Sequence, residues 1–282
     1  RVQALCLLHS WEAVSEATLV SALRDPHPRV RENAVRVAES FSNSTMVLEV
    51  IRLARDTDAK VRFQVALSCG QWSEAMAGEA LALIAQQDYR DPLVVAACMS
   101  SAVPHQEVFA RQILSGDRQA LAAFREPLLR HSLSSKNSQA IAWMLQDSLR
   151  GSFAEQCRQL SDFLGAVQRL NLSLSQLSQE VPSSQLDKWI AEAEGVVQVA
   201  RDRIEAVDAT MEDQLPAAIL LTRFVEERQR AVKVLGQSLA PQVDSQLQAE
   251  VVRHLAASAA ENVPEIFGAA WDGLSPALRS QV

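Results

Sequence analysis

The chain has few of the residues that build turns and sheets. Its 282 residues include 9 glycines and 10 prolines, and aromatic residues make up 5%. It lacks runs of β-branched and aromatic residues bounded by glycine or asparagine turns, so strands have little support. Alanine, leucine, valine, glutamine and glutamate are abundant instead, which is a helical composition. The sequence therefore predicts an all-α protein, with a hydrophobic content of 48% that is enough for a continuous core.

Two further features that the sequence lacks restrict the kinds of partner that we expect. No apolar stretch approaches the roughly 20 residues that cross a bilayer, so we expect no direct membrane contact. No cluster of lysine and arginine offsets the formal net charge of −7, and an acidic surface repels nucleic acid and anionic lipid. We therefore expect no nucleic acid among the partners.

Patterns typical of reactive sites are also missing. The four cysteines form neither C-x-x-C nor C-x-x-C-H, which excludes the usual zinc and c-type haem motifs within this sequence. Cys6, Cys69 and Cys98 stand among apolar neighbours and are interpreted as buried core residues. The five histidines are isolated, and no glycine-rich phosphate loop or G-x-S-x-G turn is present. We predict no catalytic residue, no metal ligand and no cofactor-binding residue in this chain.

The sequence does contain a repeat of about 30 residues. Residues 25–31 (DPHPRVR) and 56–62 (DTDAKVR) have the same pattern, and a weaker copy follows at Asp91-Pro92. Residues 1–5 look like an earlier copy. A tandem array at this period is typical of stacked helix pairs, since one pair cannot bury its apolar face alone. We therefore predict an α-α superhelix, or solenoid.

Each unit is interpreted as helix A, a turn and helix B. Helix A of one unit covers Glu16 to Leu23, and the prolines of the following turn end it because proline disfavours helix before it. Helix B starts at Arg29. Trp11 and Trp72 follow B helices at equivalent places, which favours packing between repeats. Three serines are predicted N-caps of A helices: Ser15, Ser44 and Ser73.

The pattern Asp-x-x-x-x-Val-Arg resembles the HEAT repeat. The resemblance implies a ladder of polar contacts between adjacent repeats, formed by the turn aspartate and the helix-B arginine. Its members here are Asp25 with Arg31 and Asp56 with Arg62. The alternative is that Arg31 and Arg62 bind an anionic ligand. Regularly spaced charge in a solenoid favours the structural ladder.

Residues 153–215 differ from the rest, because they carry two apolar runs with a 3.5-residue period. The runs extend from Leu160 to Val181 and from Ile190 to Met211, with a break at Pro182. Two interpretations remain open: a long antiparallel helical hairpin, or a repeat with unusually long helices packed on its neighbours. The predicted organisation is HEAT-type repeats over 1–152, this segment over 153–215, and HEAT-type repeats over 216–282.

Three stretches together resemble one family more closely than HEAT proteins in general. They are residues 25–31, 60–68 and 269–279, the last reading AAWDGLSPALR. They resemble the HEAT-rich middle region of large bacterial proteins described as membrane-bound dehydrogenases. In that family a β-propeller precedes the HEAT region and a c-type haem domain follows it. The resemblance implies an extracytoplasmic, periplasmic oxidoreductase as parent, with haem c outside this segment and no cofactor within it.

Three functional hypotheses follow. The first is a non-catalytic scaffold segment of a larger oxidoreductase, whose partners are the flanking domains of the same chain or another protein. The chain starts without methionine and ends inside a helical pattern, which agrees with a piece of a longer polypeptide. The second is an independent protein-binding HEAT module. The third is a HEAT-like enzyme acting on DNA, such as a DNA glycosylase, which the net charge of −7 disfavours.

Overall fold

The computed structural model describes residues 1–41, 43–206, 210–258 and 260–281. Their regular structure is α-helix and short 3₁₀ turns, without any strand, so the all-α prediction is confirmed. The helices are α1 Val2–Ser10, α2 Glu16–Leu23, α3 Pro28–Ala38, α4 Ser44–Ile51, α5 Ala59–Ser68, α6 Ala75–Asp88, α7 Pro92–Ser101, α8 Gln106–Ser115, α9 Arg118–Ser134, α10 Ser138–Ser148, α11 Phe153–Arg169, α12 Leu174–Glu180, α13 Ser184–Glu205, α14 Met211–Leu221, α15 Val225–Gln237, α16 Ser245–Ala257, α17 Val263–Ala270 and α18 Pro276–Arg279.

The chain forms two compact units, Arg1–Trp143 and Met144–Val282. Residues 153–215 fall within the second unit. The boundaries predicted after residues 152 and 215 mark changes of repeat type, and they stay predictions.

The first unit is a two-layer stack of helix pairs. One layer contains α1, α3, α5, α7 and α9, and each of these helices packs against the next. The other contains α2, α4, α6 and α8, again in sequence. Within a pair the two layers meet, as α2 meets α3 and α6 meets α7. This arrangement is the predicted solenoid of stacked helix pairs.

Local sequence explains most of the helix ends in the first unit. Helix α2 covers the predicted residues, and the Ser15 Oγ accepts a hydrogen bond from the Thr18 amide at 3.2 Å. The other two serine caps were wrong. Asn43 caps α4 and places Ser44 in the first turn, because its amide oxygen accepts from the Met46 amide. Helix α6 starts after Glu74 with no side-chain cap.

Two predictions about buried side chains need correction. Cys69 and Cys98 are buried as expected, but Cys6 is exposed on the outer face of α1. Trp72 packs between repeats and its indole N–H donates to the Phe41 carbonyl at 3.2 Å, whereas Trp11 is 69% exposed. The carbonyl that accepts this hydrogen bond belongs to Phe41, 31 residues before Trp72 in the chain.

The second unit is built around α14. Every residue from Leu215 to Leu221 is buried, and the helix packs against α11, α13 and α15. A helix that is apolar on all sides belongs inside a core rather than at its surface. Helices α15 to α18 complete this unit, with α15 packing against α16 and α17.

The 153–215 segment is not a hairpin with two equal arms. The first apolar run is broken between α11 and α12, where Asn171 has a φ of 58° and Ser173 starts a new helix with a capping box. The second run lies in α13 from Ile190 to Ile204, where its apolar residues are buried against α14 and α11, and its last member, Met211, starts α14. Val207, another member of this run, lies outside the described residues. The structure thus favours long helices packed on their neighbours.

Over the described residues, no single helix is both long and apolar enough to cross a membrane. One bent pair, Pro92–Ser101 with Val103–Ser115, passes the length and composition criteria together, with a bend of 68°. Phe109 and Ile113 of this pair are buried within the first unit, whereas Leu93 and Val103 are exposed.

Candidate functional site

A row of arginine–aspartate pairs connects successive repeats of the first unit. The Arg31 guanidinium donates from Nε and Nη2 to the two carboxylate oxygens of Asp56, each at 2.7 Å. Its Nη1 donates to the backbone carbonyl of Asp25 at 2.9 Å. A two-pronged contact of this kind fixes direction as well as distance. Arg31 therefore joins the turn of its own repeat to the turn of the next.

The next repeat has the same arrangement. Arg62 donates from Nε and Nη2 to Asp88 at 2.7 and 2.6 Å, and from Nη1 to the Asp56 carbonyl at 2.7 Å. Arg1 pairs with the Asp25 carboxylate at the start of the row. Asp25 and Asp56 thus each offer a backbone carbonyl to the arginine of their own repeat and a carboxylate to the arginine of the preceding repeat. Asp88 accepts from Arg62 through its carboxylate.

The four residues singled out from the sequence all lie in this row, but the pairing is shifted by one repeat. Asp25 contacts Arg31 and Asp56 contacts Arg62 through backbone carbonyls rather than carboxylates. The carboxylate partner of Arg62 is Asp88, which sequence reasoning missed. Its position was readable from spacing, because Asp88 follows Asp56 by 32 residues and Asp56 follows Asp25 by 31.

The aspartates also shape their own turns. Asp25 and Asp56 each accept a hydrogen bond from the amide two residues ahead, at 2.8 and 2.9 Å. Asp58 then caps α5 by accepting from the Lys60 amide at 2.8 Å. One side chain therefore orders the turn and holds the preceding repeat, which explains why aspartate suits this place.

Charge and burial act together on these pairs. Burial by itself raises the pKa of Asp56, but hydrogen bonds from Arg31 and the Asp58 amide, with the charges of Arg31 and Arg62, outweigh it and hold the pKa below its ordinary value. The pKa values of both arginines are raised, first by their hydrogen bonds to Asp56 and Asp88. Each of these shifts favours the charged form of its group, so the Arg31–Asp56 pair is ionised in the folded chain at neutral pH.

The row ends at Asp88. In the third repeat, Val94 matches Val61 and Val95 takes the place of the arginine. Within the row, all three nitrogens of Arg31 and of Arg62 contact protein oxygens. This geometry favours the inter-repeat ladder over the alternative of anion binding by the same two arginines.

Further polar contacts extend the links between repeats. The Ser68 hydroxyl donates to the Glu39 carboxylate at 2.6 Å, and the Ser101 hydroxyl donates to the Leu67 carbonyl at 3.0 Å. The buried His105 ring makes a hydrogen bond to the Cys69 carbonyl at 3.0 Å. Each contact satisfies a buried polar group, as a packed interior requires.

The side chains that could bind metal or act as nucleophiles are dispersed. In the described ranges, no three His, Cys, Asp or Glu side chains come together in a group that could hold a metal ion. Burial raises the pKa of the Cys69 thiol to about 12 and that of Cys157 to about 12. A buried thiol of this kind is protonated at neutral pH and is a poor nucleophile.

The second unit contains a cavity of about 520 Å³ between α11, α13 and the turn before α15. Arg223 lines it, and its guanidinium lies over Gly165, where a Cβ would come within 2.9 Å of Cζ. Its Nε donates to the Ser161 hydroxyl at 3.0 Å. Burial lowers the pKa of Arg223. Gly165 therefore allows a half-buried arginine to pack against helix α11.

The first unit has an open groove of about 630 Å³ across α3, α5 and α7. Phe63 and Val94 contribute to its apolar floor, and Lys60 and Arg90 stand at its edge. The groove lies on the layer of B helices, beside the arginine–aspartate row.

Stacked helix pairs define the class of this protein, an all-α solenoid. Within it, residues 16–102 match the family model described as HEAT repeats. A search of curated proteins found no match to the chain.

Proposed function

We propose that this chain is a non-catalytic scaffold segment that holds other protein domains. The observation that carries the proposal is the use of the repeat-turn charges: Arg31, Arg62, Asp56 and Asp88 are spent on contacts between repeats. The outer faces of the helices are then the surface left for partners. HEAT repeats commonly serve as surfaces for protein–protein contact, and the match over residues 16–102 supports this role.

The same proposal includes a particular parent. On the resemblance of residues 25–31, 60–68 and 269–279, the parent is a periplasmic oxidoreductase with a haem c domain outside this segment. The partners are then flanking domains of the same polypeptide, or a second protein. The segment itself holds no cofactor and touches neither nucleic acid nor membrane.

An antibody raised against residues 1–282 tests the parent. In extracts of the native cell it should detect a polypeptide longer than this chain, in the extracytoplasmic fraction, that also stains for covalently bound haem. A cytoplasmic polypeptide without haem would remove the oxidoreductase assignment and leave the scaffold role.

A second candidate is an independent protein-binding module. It is favoured by apolar side chains exposed on the B-helix layer, among them Leu93, which is 65% exposed. Chemical crosslinking of the native protein followed by mass spectrometry separates the two candidates. Crosslinks from α5 and α7 to domains of the same polypeptide favour the first, and crosslinks to a different protein favour the second.

A further inference from the structure

The cavity of the second unit has a largely apolar lining. Leu164 and Val167 of α11, Val197 of α13 and Phe224 in the turn before α15 all line it. Its volume of about 520 Å³ lies within the range of cavities that bind small molecules. An apolar ligand body of that size would be shielded from water here. We name this space the α11–α13 cavity.

Arg223 brings a fixed positive charge to the wall of the α11–α13 cavity. A Cβ added at Gly165 would lie 2.9 Å from the Arg223 Cζ and 3.0 Å from each of Nη1 and Nη2. These nearly equal distances mean that the flat face of the guanidinium rests on helix α11 at Gly165. The Ser161 hydroxyl accepts a hydrogen bond from Nε at 3.0 Å. The guanidinium is therefore held in one orientation.

Two donor groups of Arg223 remain without an acceptor. Among the residues that the structure describes, Nη1 and Nη2 make no hydrogen bond, and no carboxylate lies within ion-pair distance of this guanidinium. Asp162 raises the pKa of Arg223 through its charge alone, and burial lowers that pKa more strongly. A carboxylate placed against Nη1 and Nη2 would offset the cost of this burial, because a guanidinium binds a carboxylate through two parallel hydrogen bonds.

The start of α15 adds backbone donors at the same cavity. The helix begins at Val225, and no side chain caps it at Phe224. In the described part of the chain the amides of Val225 and Glu226 make no hydrogen bond, and both residues line the cavity. Unpaired amides in the first turn of a helix favour a negatively charged group.

Net charge does not select the ligand of this cavity, because Arg201 and Arg223 are balanced by Glu194 and Glu226 in its lining. The position of the charges does select it. Both glutamates are exposed, so water can solvate them, and Arg201 is paired with Glu227 at 3.0 Å. Arg223 is half-buried and its donors lack acceptors, so one carboxylate is the group that completes this site. The two glutamates disfavour a ligand with further negative charges.

We propose that the α11–α13 cavity binds a ligand with one carboxylate and an apolar body, of the size of a medium-chain fatty acid. The carboxylate oxygens accept from Nη1 and Nη2 of Arg223, and the apolar body packs on Leu164, Val167 and Val197. The cavity belongs to the second unit and the arginine–aspartate row to the first. This binding activity goes beyond the scaffold role and does not depend on it.

Three small probes test the proposal. Isothermal titration calorimetry of the whole chain at neutral pH should show saturable binding of octanoate. Octan-1-ol, which lacks the carboxylate, and acetate, which lacks the chain, should each bind at least about tenfold more weakly. An acetylated peptide that ends in leucine, with a free or an amidated C-terminus, distinguishes the source of the carboxylate. Tighter binding of octanoate assigns a free acid, and tighter binding of the free-ended peptide assigns a protein C-terminus.

Matched variants locate the binding site. Arg223→Gln should weaken octanoate binding by about tenfold. Arg253→Gln, at an exposed position that does not line the cavity, should alter it less than about twofold. Circular dichroism of each variant checks that the fold is retained.

The two helical glycines give a second, independent pair of variants. Gly165→Ala should displace the guanidinium from α11 and weaken octanoate binding by about tenfold, while alanine favours the helix. Gly195→Ala is the control, because an added Cβ there meets nothing within 4 Å, and it should alter binding less than about twofold. This pair decides the question if Arg223→Gln does not fold.

Several results would overturn the proposal. Octanoate that does not bind, or that binds no better than octan-1-ol, removes the carboxylate site. Equal losses in Arg223→Gln and Arg253→Gln, or in Gly165→Ala and Gly195→Ala, would place the ligand elsewhere. Crosslinking to protein partners is a separate measurement, so the scaffold function can stand or fail on its own.

Discussion

At the scale of single residues, the arginines of the repeat turns act as connectors. Arg62 is 8% exposed and Asp88 is 17% exposed, so their pair is shielded from water and salt. A buried pair is costly to break from one side, because the remaining charge loses its partner while it stays desolvated. The contribution of these residues is therefore tested by removing one partner and then both.

Arg62→Met should lower the free energy of unfolding by about 3 kcal/mol, because it leaves Asp88 buried without its two charged donors. Chemical denaturation monitored by circular dichroism measures the change. Adding Asp88→Asn should recover part of the loss. Arg52→Met is the control, since Arg52 is 66% exposed in its pair with Glu49 and should cost less than about 1 kcal/mol. Equal losses for Arg52→Met and Arg62→Met would contradict the ladder as a stabilising contact.

The cysteines differ in burial, and their reactivity should follow. Cys69, Cys98 and Cys157 are buried and burial raises their thiol pKa values, whereas Cys6 is exposed. Because the thiolate is the reactive form, we expect one thiol per chain to react with Ellman's reagent rapidly at about pH 8. The other three should react after denaturation. Cys6→Ser should abolish the rapid phase, and a rapid phase that survives would contradict the buried placement.

At the scale of elements, the middle of the chain shows how one residue divides an apolar run into two helices. Asn171 adopts a left-handed conformation with φ of 58°, and Ser173 then caps α12. Asparagine tolerates this region better than other non-glycine residues. The chain can therefore change direction between α11 and the short helix α12, whereas α13 continues unbroken for 22 residues.

Asn171→Val should lower the free energy of unfolding by about 1–2 kcal/mol, because a β-branched residue is strained at positive φ. Asn171→Gly should change it by less than about 1 kcal/mol, since glycine adopts this conformation freely. Thermal denaturation compares the two. Gln179→Val on the exposed side of α12 serves as the control for helix propensity, with an expected loss below about 1 kcal/mol. A stable Asn171→Val protein would argue for a continuous first arm.

At the scale of the whole molecule, stability is divided between two compact units. In repeat proteins each layer contacts its neighbours, so stability is approximately a sum of local terms. The buried apolar residues 215–221 of α14 lie at the centre of the second unit, and α6 contributes buried residues such as Ile84 to the core of the first unit. A core defect should therefore be felt mainly within its own unit.

Ile219→Ala should cost about 2–5 kcal/mol and lower amide protection chiefly in residues 144–282. Hydrogen exchange followed by mass spectrometry resolves the two units. Ile84→Ala should give the reverse pattern, with the loss concentrated in residues 1–143. Equal loss of protection across both units in either variant would show that the chain unfolds as one cooperative body.

The sequence by itself determined the helical class, the repeat period and the residues of the inter-repeat turns, because these depend on local properties. Helix A at Glu16–Leu23 was predictable from its cap and its proline stop. The resemblance to the HEAT repeat implied turn contacts for Asp25, Arg31, Asp56 and Arg62. Composition and helical periodicity depend on residues that lie within one or two helical turns of each other, so both can be read directly from the sequence. The cap predicted at Ser44 failed because Asn43 caps α4 instead, and the cap predicted at Ser73 failed because α6 starts one residue later, after Glu74, without a side-chain cap.

Only the tertiary structure decided which partners meet. Arg62 pairs with the carboxylate of Asp88 rather than with that of Asp56. The reason is that the stacked helices place each turn beside the neighbouring repeat, so the turn does not fold back on its own repeat. Packing also left Cys6 exposed and placed Lys60 and Leu93 along one groove. These outcomes depend on contacts between residues about 25 or more positions apart. Such contacts arise when separate helices bury their apolar faces together, and local pattern does not encode them.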